Sequence, residues 1–442
     1  MTVEKNPGPE AKRFLPGNHA ADMAKSVVEI LIQWLELYGF DSKGYSPTGD
    51  ILQWQIWFSL PDGWLKVAKY KIAAFYQEAN KSELIDKTLP KPPEGLVGHP
   101  LHLLGGRAGR FFRRMIRKTN PLRHSFLSSL LLVKGGMPRP GKEELKAALK
   151  KTIETLTTPR RRDSKPVRVP GSSLAFRHSE MTFAELKERT CQTARELFCR
   201  ERWNSRTFFA NAITPSFSAN YVRSRRDFGT FGELEDLGLL STLPPRDLRL
   251  RPVVQEEFIG SDTEMALELS GLESMRDQFL RTYFDALTRA QREPPIAEGV
   301  ALAEALKVRV ITKGPPLTQY CLKPMQQWMW RVLKEHPAFR LIGDPVDTKN
   351  LRERLRDLSG NQAWLSGDYS DATNQLHPDL SEAVWETICD VTATPRALRD
   401  LGKRVLTDHW IMINKDGELM PQQWGQLMGS IISFPILCIV NA

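Results

Sequence analysis

Three short stretches carry residue types that do chemistry. In AWLSGDYSDATNQLHPDLSEAVWETICD a short apolar run ends at Asp368, a tight turn follows, and the spacing predicts a helix from about Asp379 to Cys389. A carboxylate at a strand end beside a turn is placed to hold a divalent cation, and nucleotidyl transfer uses carboxylates to hold two such ions roughly 3.5–4 Å apart. One aspartate of this kind is equally an ordinary strand end. In LKVRVITKGPP, Lys307, Arg309 and Lys313 sit at odd positions of a predicted strand. Period-2 alternation puts all three on one face, a cationic wall that suits a triphosphate or, more plainly, an amphipathic strand. In QQWGQLMGSIISFPILCIVNA, a loop from Gly425 to Gly429 precedes a predicted helix starting at Ser430 that packs Ile432, Pro435, Ile436 and Ile439. Small residues let a nucleotide or template backbone come close, while Ser433 and Asn441 offer hydrogen bonds of the kind that recognise a ribose 2′-hydroxyl. A buried helix with a Gly-rich start fits the same residues.

These stretches need a scaffold. Past Leu306 the chain alternates short β-branched runs with helical ones, the texture of an α+β domain. Upstream it is α-rich: apolar residues recur at helical spacing from Ala21 to Tyr38 and from Trp64 to Ala79, and the pattern is again helical over Met181–Phe198 and Glu264–Ala305. Between them lie two basic runs. RAGRFFRRMIRKTNPLRH interleaves Arg113, Arg114 and Arg117 with Phe111 and Phe112, and TPRRRDSKPVRVPG reads as a connector. The 442 residues carry 62 Lys plus Arg against 52 Asp plus Glu, a net +10, so a polyanionic partner is the first expectation and a solvated basic face the plain one. Five cysteines without a C-x-x-C pair predict free thiols in a reducing compartment. The apolar runs near Phe126–Val133 and Ile431–Val440 are too short to span a bilayer, so no membrane segment is expected.

Taken in order, the stretches resemble the RNA-dependent RNA polymerases of ourmia-like and narna-like positive-strand RNA viruses. LKVRVITKGPPLTQYCLKPMQQWMWRVL looks like motif F and the segment after it, HPAFRLIGDPV like the linker that follows, SGDYSDATN like motif A and GQLMGSIISFPILCIVN like motif B, together covering residues 306 to 442. TPSFSANYVRSRRDFGTFG is similar to the weaker motif G that guides template entry, through Ser216 and Ser218. The resemblance implies a right-hand polymerase of α+β class: an α-rich basic region over 1–170, fingers over 171–345, and an incomplete palm over 346–442. It implies Asp368 as the first metal-binding aspartate, with the Tyr369 carbonyl as a further ligand. Lys307, Arg309 and Lys313 would neutralise the phosphates, and Asn374, Gly429, Ser433 and Asn441 would position the sugar. Mg²⁺ or Mn²⁺ as cofactor, a single-stranded RNA template, nucleoside triphosphates and the host cytoplasm follow from the same source.

Two departures stand out. Where the family has a second motif A aspartate the chain has Asn374, and Asp371 lies three residues after Asp368 instead. Motif C should bear Gly-Asp-Asp, yet no two aspartates are adjacent anywhere in the chain. The expectation is therefore a truncated reading frame or a divided palm, completed by a second polypeptide or a continuation that carries motif C. At the other end, TVEKNPGP resembles the close of a ribosome-skipping peptide or is a chance Pro/Gly turn. The rivals are a non-catalytic RNA-binding subunit of a replication complex and a reverse transcriptase, which would place a bulky side chain near the sugar where Asn374 and Ser433 stand.

Overall fold

A computed structural model describes residues 17–80, 91–117, 121–160, 182–203, 215–240, 280–339, 371–414 and 417–442. The chain forms two compact units, one of residues 1–148 with 301–309 and one of 149–300 with 310–442.

The first unit is helical, with α1 (Gly17–Glu36), α2 (Thr48–Phe58), α3 (Gly63–Ala79), α4 (Gly106–Ile116), α5 (Pro121–Val133) and the first part of α6 (Lys142–Thr157). Its core is aromatic. Trp34 stacks on Phe126 with ring centroids 4.4 Å apart, and Phe112 meets Trp34, Phe75 and Phe126. Burying indoles requires partners for their N–H groups. Trp34 donates to Ser129 Oγ, Trp54 to the Leu103 carbonyl and Trp64 to Glu144 Oε1, each at 2.8 Å. Lys71 is also buried there, its ammonium 4.1 Å from the Trp57 ring centre, and desolvation lowers its pKa to about 8. Leu306, at φ +54, closes a two-residue turn and inserts its side chain into this core, with its N–H donating to the Pro138 carbonyl.

The second unit packs α7 (Phe183–Phe198), α8 (Gly229–Asp236), a helix over 280–290 (α9), α10 (Pro316–Glu335), α12 (Pro378–Thr392), α13 (Arg396–Thr407) and α14 (Ser433–Val440) around one apolar cluster, with the short α11 (Ala372–Gln375) beside α14. The sheet is small and mixed, in the order β2 (Lys307–Lys313), β1 (Ile296–Glu304), β3 (Trp410–Met412), β4 (Leu419–Pro421). Strand β1 runs parallel to β3, Ile296 opposite Trp410, and β3 runs antiparallel to β4.

The helices over 21–38, 64–79, 181–198 and 379–389 form close to their expected bounds, and β2 forms where alternation places it. The helical pattern expected through Ala305 does not hold. After α9, Pro294 and Pro295 remove two backbone donors, and Ile296–Glu304 is a strand between β2 and β3, the latter pairing with Ile296–Glu298 across more than a hundred residues. The run Ile431–Val440 packs with the residues expected to do so. Ile432, Ile436 and Ile439 are fully buried, Pro435 with them, although the helix begins at Ser433 rather than Ser430. All five cysteines are free, and among the described residues no helix is long and apolar enough to cross a membrane.

Candidate functional site: a four-segment junction

Four segments of the second unit meet, and small residues make the meeting possible. At the end of β2, Thr312 lies so close to Gly429 that a Cβ there would stand 1.7 Å from the Thr312 carbonyl oxygen. The Gly429 N–H donates to Thr312 Oγ1 at 3.0 Å. Gly425, at φ +70, would set a Cβ 2.4 Å from the Asn374 carbonyl oxygen, and the Gln426 N–H donates to the Thr373 carbonyl at 2.8 Å. The loop at 425–432 is thus wedged between the end of β2 and α11. The fourth segment, 215–232, closes on itself: Ser216 Oγ accepts the Ser218 N–H at 3.0 Å, and Gly229, at φ +51, abuts the Ser218 carbonyl. It reaches the others through the Tyr221 N–H, which donates to the Gly314 carbonyl at 3.3 Å.

Helix α10 fixes this arrangement from behind. Gln319 and Gln326, seven residues apart and so on one helix face, donate to the carbonyls of Gly429 at 3.4 Å and Ile431 at 2.7 Å. The helix start is held by Glu293, which accepts from the N–H groups of Leu317 and Thr318 and from Thr318 Oγ1. Burial raises the Glu293 pKa, and these three hydrogen bonds oppose that rise.

The base of the loop rests on a buried pair, His409 and Gln422. Gln422 Nε2 donates to the carbonyls of Leu406 at 3.1 Å and Gly425 at 2.8 Å. Its Oε1 is therefore left as acceptor, so His409 donates from Nδ1 across 3.1 Å as the neutral tautomer. Desolvation drives the His409 pKa down to about 4, the hydrogen bond to Gln422 raising it slightly. Between that value and about 6.5 the unfolded chain holds a proton that the folded chain excludes. The stability contributed by neutral His409 is accordingly complete above about pH 6.5 and is lost as pH falls towards 4, by up to roughly 3 kcal/mol. Thermal melts at pH 7 and pH 5 should differ for the wild type, and His409→Gln should narrow that difference.

The carried-over residues fall unequally on this junction. Gly429 lies in it, Asn374 is half-buried beside Gly425, and Ser433 opens α14 with its hydroxyl buried and without a hydrogen-bond partner among the described residues. Asn441 is exposed beyond the far end of α14, about 12 Å along the axis from Ser433 at 1.5 Å per residue. Lys307, Arg309 and Lys313 do alternate along β2, but Arg309 pairs with Glu304 at 2.8 Å and Lys313 with Glu298 at 2.9 Å. Both pairs are partly exposed, so each is worth little and can exchange for another anion. Asp368 and Tyr369 lie outside the described residues. Asp371, at φ +55, is exposed, with no side-chain bond to the helix that follows it.

Arg113, Arg114 and Arg117 are in the first unit, on the exposed face of α4, whose other face buries Phe111, Phe112 and Met115. Arg114 lies 4.8 Å from the Phe111 ring centre, and none of the three makes an ion pair among the described residues. Sequence reasoning did not single out Thr312, Gln319, Gln326, His409 or Gln422. The seven-residue spacing of the two glutamines was the only local signal for any of them.

Comparison with known proteins bears on what this junction is. Over 349 residues the chain is 30% identical to the RNA-dependent RNA polymerase of Ourmia melon virus (isolate Melon/Iran/VE9), an alignment that takes in 74% of this chain. The chain is a relative of the ourmia-like RNA-dependent RNA polymerases. The similarity extends well beyond residues 306–442, where the motifs lie. The chain spans 37% of the length of that ourmia-like relative. No family model and no solved structure matches it.

Proposed function

We propose that the chain supplies the fingers and the first part of the palm of a viral RNA-dependent RNA polymerase, with fingers over 171–345 and palm from 346. The observation that supports this most is the junction itself: the segments resembling motifs G and B, the part of the motif F segment from Val310 onward and the end of motif A come together in one unit, through close approaches that only glycine permits. In this reading Arg309 and Lys313 exchange their glutamates for the phosphates of an incoming nucleoside triphosphate, and Lys307 adds a further positive charge. Asn374 and Ser433 take the ribose hydroxyls, and Ser216 and Ser218 border the template, with Asn441 as a more distant contact. Asp368 and the Tyr369 carbonyl would hold Mg²⁺ or Mn²⁺, which supplies charge neutralisation and activation of the attacking hydroxyl. Among the described residues no three of His, Cys, Asp or Glu come together. Because no two aspartates are adjacent in the chain, the second metal-binding carboxylate comes from a motif C segment on a continuation or a second polypeptide. The test is template-directed primer extension. Activity is expected when the chain is joined or mixed with a motif C segment and absent without it, and robust extension by these 442 residues alone would overturn the motif assignment.

A second reading, an RNA-binding subunit without catalysis, is favoured by the arginines of α4, which have no carboxylate partner among the described residues. They bind RNA phosphates in either reading. Charge reversal of Arg113, Arg114 and Arg117 together should make the salt dependence of RNA affinity shallower, on a log–log plot from filter binding, by about 0.7 for each phosphate no longer neutralised. Unchanged affinity and slope would mark that helix face as merely solvated.

A further inference from the structure

One face of α10 forms an open groove lined by Lys323, Gln326, Gln327, Trp330, Arg331 and Lys334. Lys323, Gln327, Trp330 and Lys334 stand at i, i+4, i+7 and i+11, so they form a continuous stripe along the helix. Two properties define what fits. The first is an aromatic platform: the Trp330 ring stacks on Phe434 of α14 with centroids 5.4 Å apart and planes 17° from parallel, and Phe434 is 47% exposed. The second is charge. Three cations line the groove, and the one carboxylate paired with any of them among the described residues is Glu201, which takes Arg331 at 3.0 Å and the Trp328 N–H at 2.7 Å. Lys323 donates to Gln326 Oε1 at 2.7 Å, and Lys334 is exposed without an ion pair among the described residues.

We infer that this groove binds single-stranded RNA, one base stacking at the Trp330–Phe434 platform while phosphates pass Lys323, Arg331 and Lys334. An apolar partner would leave three cations desolvated, and a duplex has no unstacked base to offer the platform. The exposed Gln327 amide can meet any base edge, so binding is expected to be tolerant of sequence. The groove also has a structural link to the loop at 425–432: Gln326, which lines it, donates to the Ile431 carbonyl, and Phe434 follows Ser433 directly. RNA held here would steady the loop that carries Gly429. The binding itself rests on the groove's own chemistry and holds whether or not the chain polymerises.

The experiment uses the full chain and an RNA of roughly twelve nucleotides carrying 5-iodouridine, cross-linked by ultraviolet light and mapped by peptide mass spectrometry, with fluorescence anisotropy in parallel. Cross-links are expected at Trp330 or Phe434. Lys334→Glu, at an exposed position that leaves the core untouched, should cut their yield about fivefold or more and make the salt dependence shallower by about 0.7. Trp330→Leu should remove the platform cross-link and weaken binding about tenfold. Cross-links confined to other segments, or a platform yield unaffected by Lys334→Glu, would overturn the inference. So would displacement of the RNA by polyglutamate at the same concentration as by unlabelled RNA, which would mark the groove as a site for acidic peptides.

Discussion

Asp368→Ala should abolish divalent-dependent nucleotide addition by the chain once a motif C segment completes it, lowering the rate by several orders of magnitude and leaving the melting temperature nearly unchanged. The asymmetry between rate and stability is the informative part. A carboxylate that bridges cations in the transition state contributes several kcal/mol there, and each 1.4 kcal/mol is about a factor of ten in rate. The same carboxylate without cations is a charge whose removal costs the fold little. Retention of more than about a tenth of wild-type activity would sink the assignment of Asp368. Asp371→Ala is the matched control, since it also removes an acidic residue from this stretch. Asp371 is exposed and its side chain makes no cap bond to α11, so its loss should leave most of the activity in place. Should Asp371→Ala prove the damaging change, the metal-binding role would move three residues along the chain.

What the sequence allowed to be read, and what it did not, divides along the range of the interactions. Helix α12 was legible because its signals are local, apolar residues at 3.6-residue spacing with Pro378 in the first turn, whereas its end at the left-handed Ala393 lies beyond the expected Cys389. Strand β2 was legible from its alternation, and the cations on it from their residue types. Their counter-charges were not, because Glu298 and Glu304 reach them only once β1 is a strand between β2 and β3. The pattern IAEGVALAE is locally compatible with a helix, and tertiary pairing overrides it. The packing face of Ile432, Ile436 and Ile439 was legible and the residues that cover it, among them Val384, Ile388 and Met325, were not. Of the junction, the glycines pointed to a close approach, but the partner of that approach, Thr312, could be known only from the fold.

Gly429→Ala should therefore be among the most damaging single substitutions in the chain, although it adds one methyl group. The new Cβ would meet the Thr312 carbonyl oxygen at 1.7 Å, its carbon at 2.7 Å and Oγ1 at 2.8 Å, and two of these three atoms are backbone. A flexible side chain would swing aside, whereas the end of a strand in a sheet cannot without losing its own ladder. The loop must move instead, and the Gly429 N–H then loses Thr312 Oγ1 while Gln319 loses the Gly429 carbonyl. Overpacking of this kind typically costs about 1–3 kcal/mol, and unmade buried hydrogen bonds add about 1 kcal/mol or more each. A melting temperature lower by several degrees is expected, together with loss of extension activity in the completed enzyme. Gly49→Ala provides the contrast, because its Cβ meets nothing within 4 Å and it sits in the first turn of α2, where alanine is the better helix former. That variant should melt at or slightly above the wild-type temperature. If Gly429→Ala melts with it, the loop at 425–432 does not pack on β2 as described, and the junction on which the polymerase reading rests would have to be abandoned.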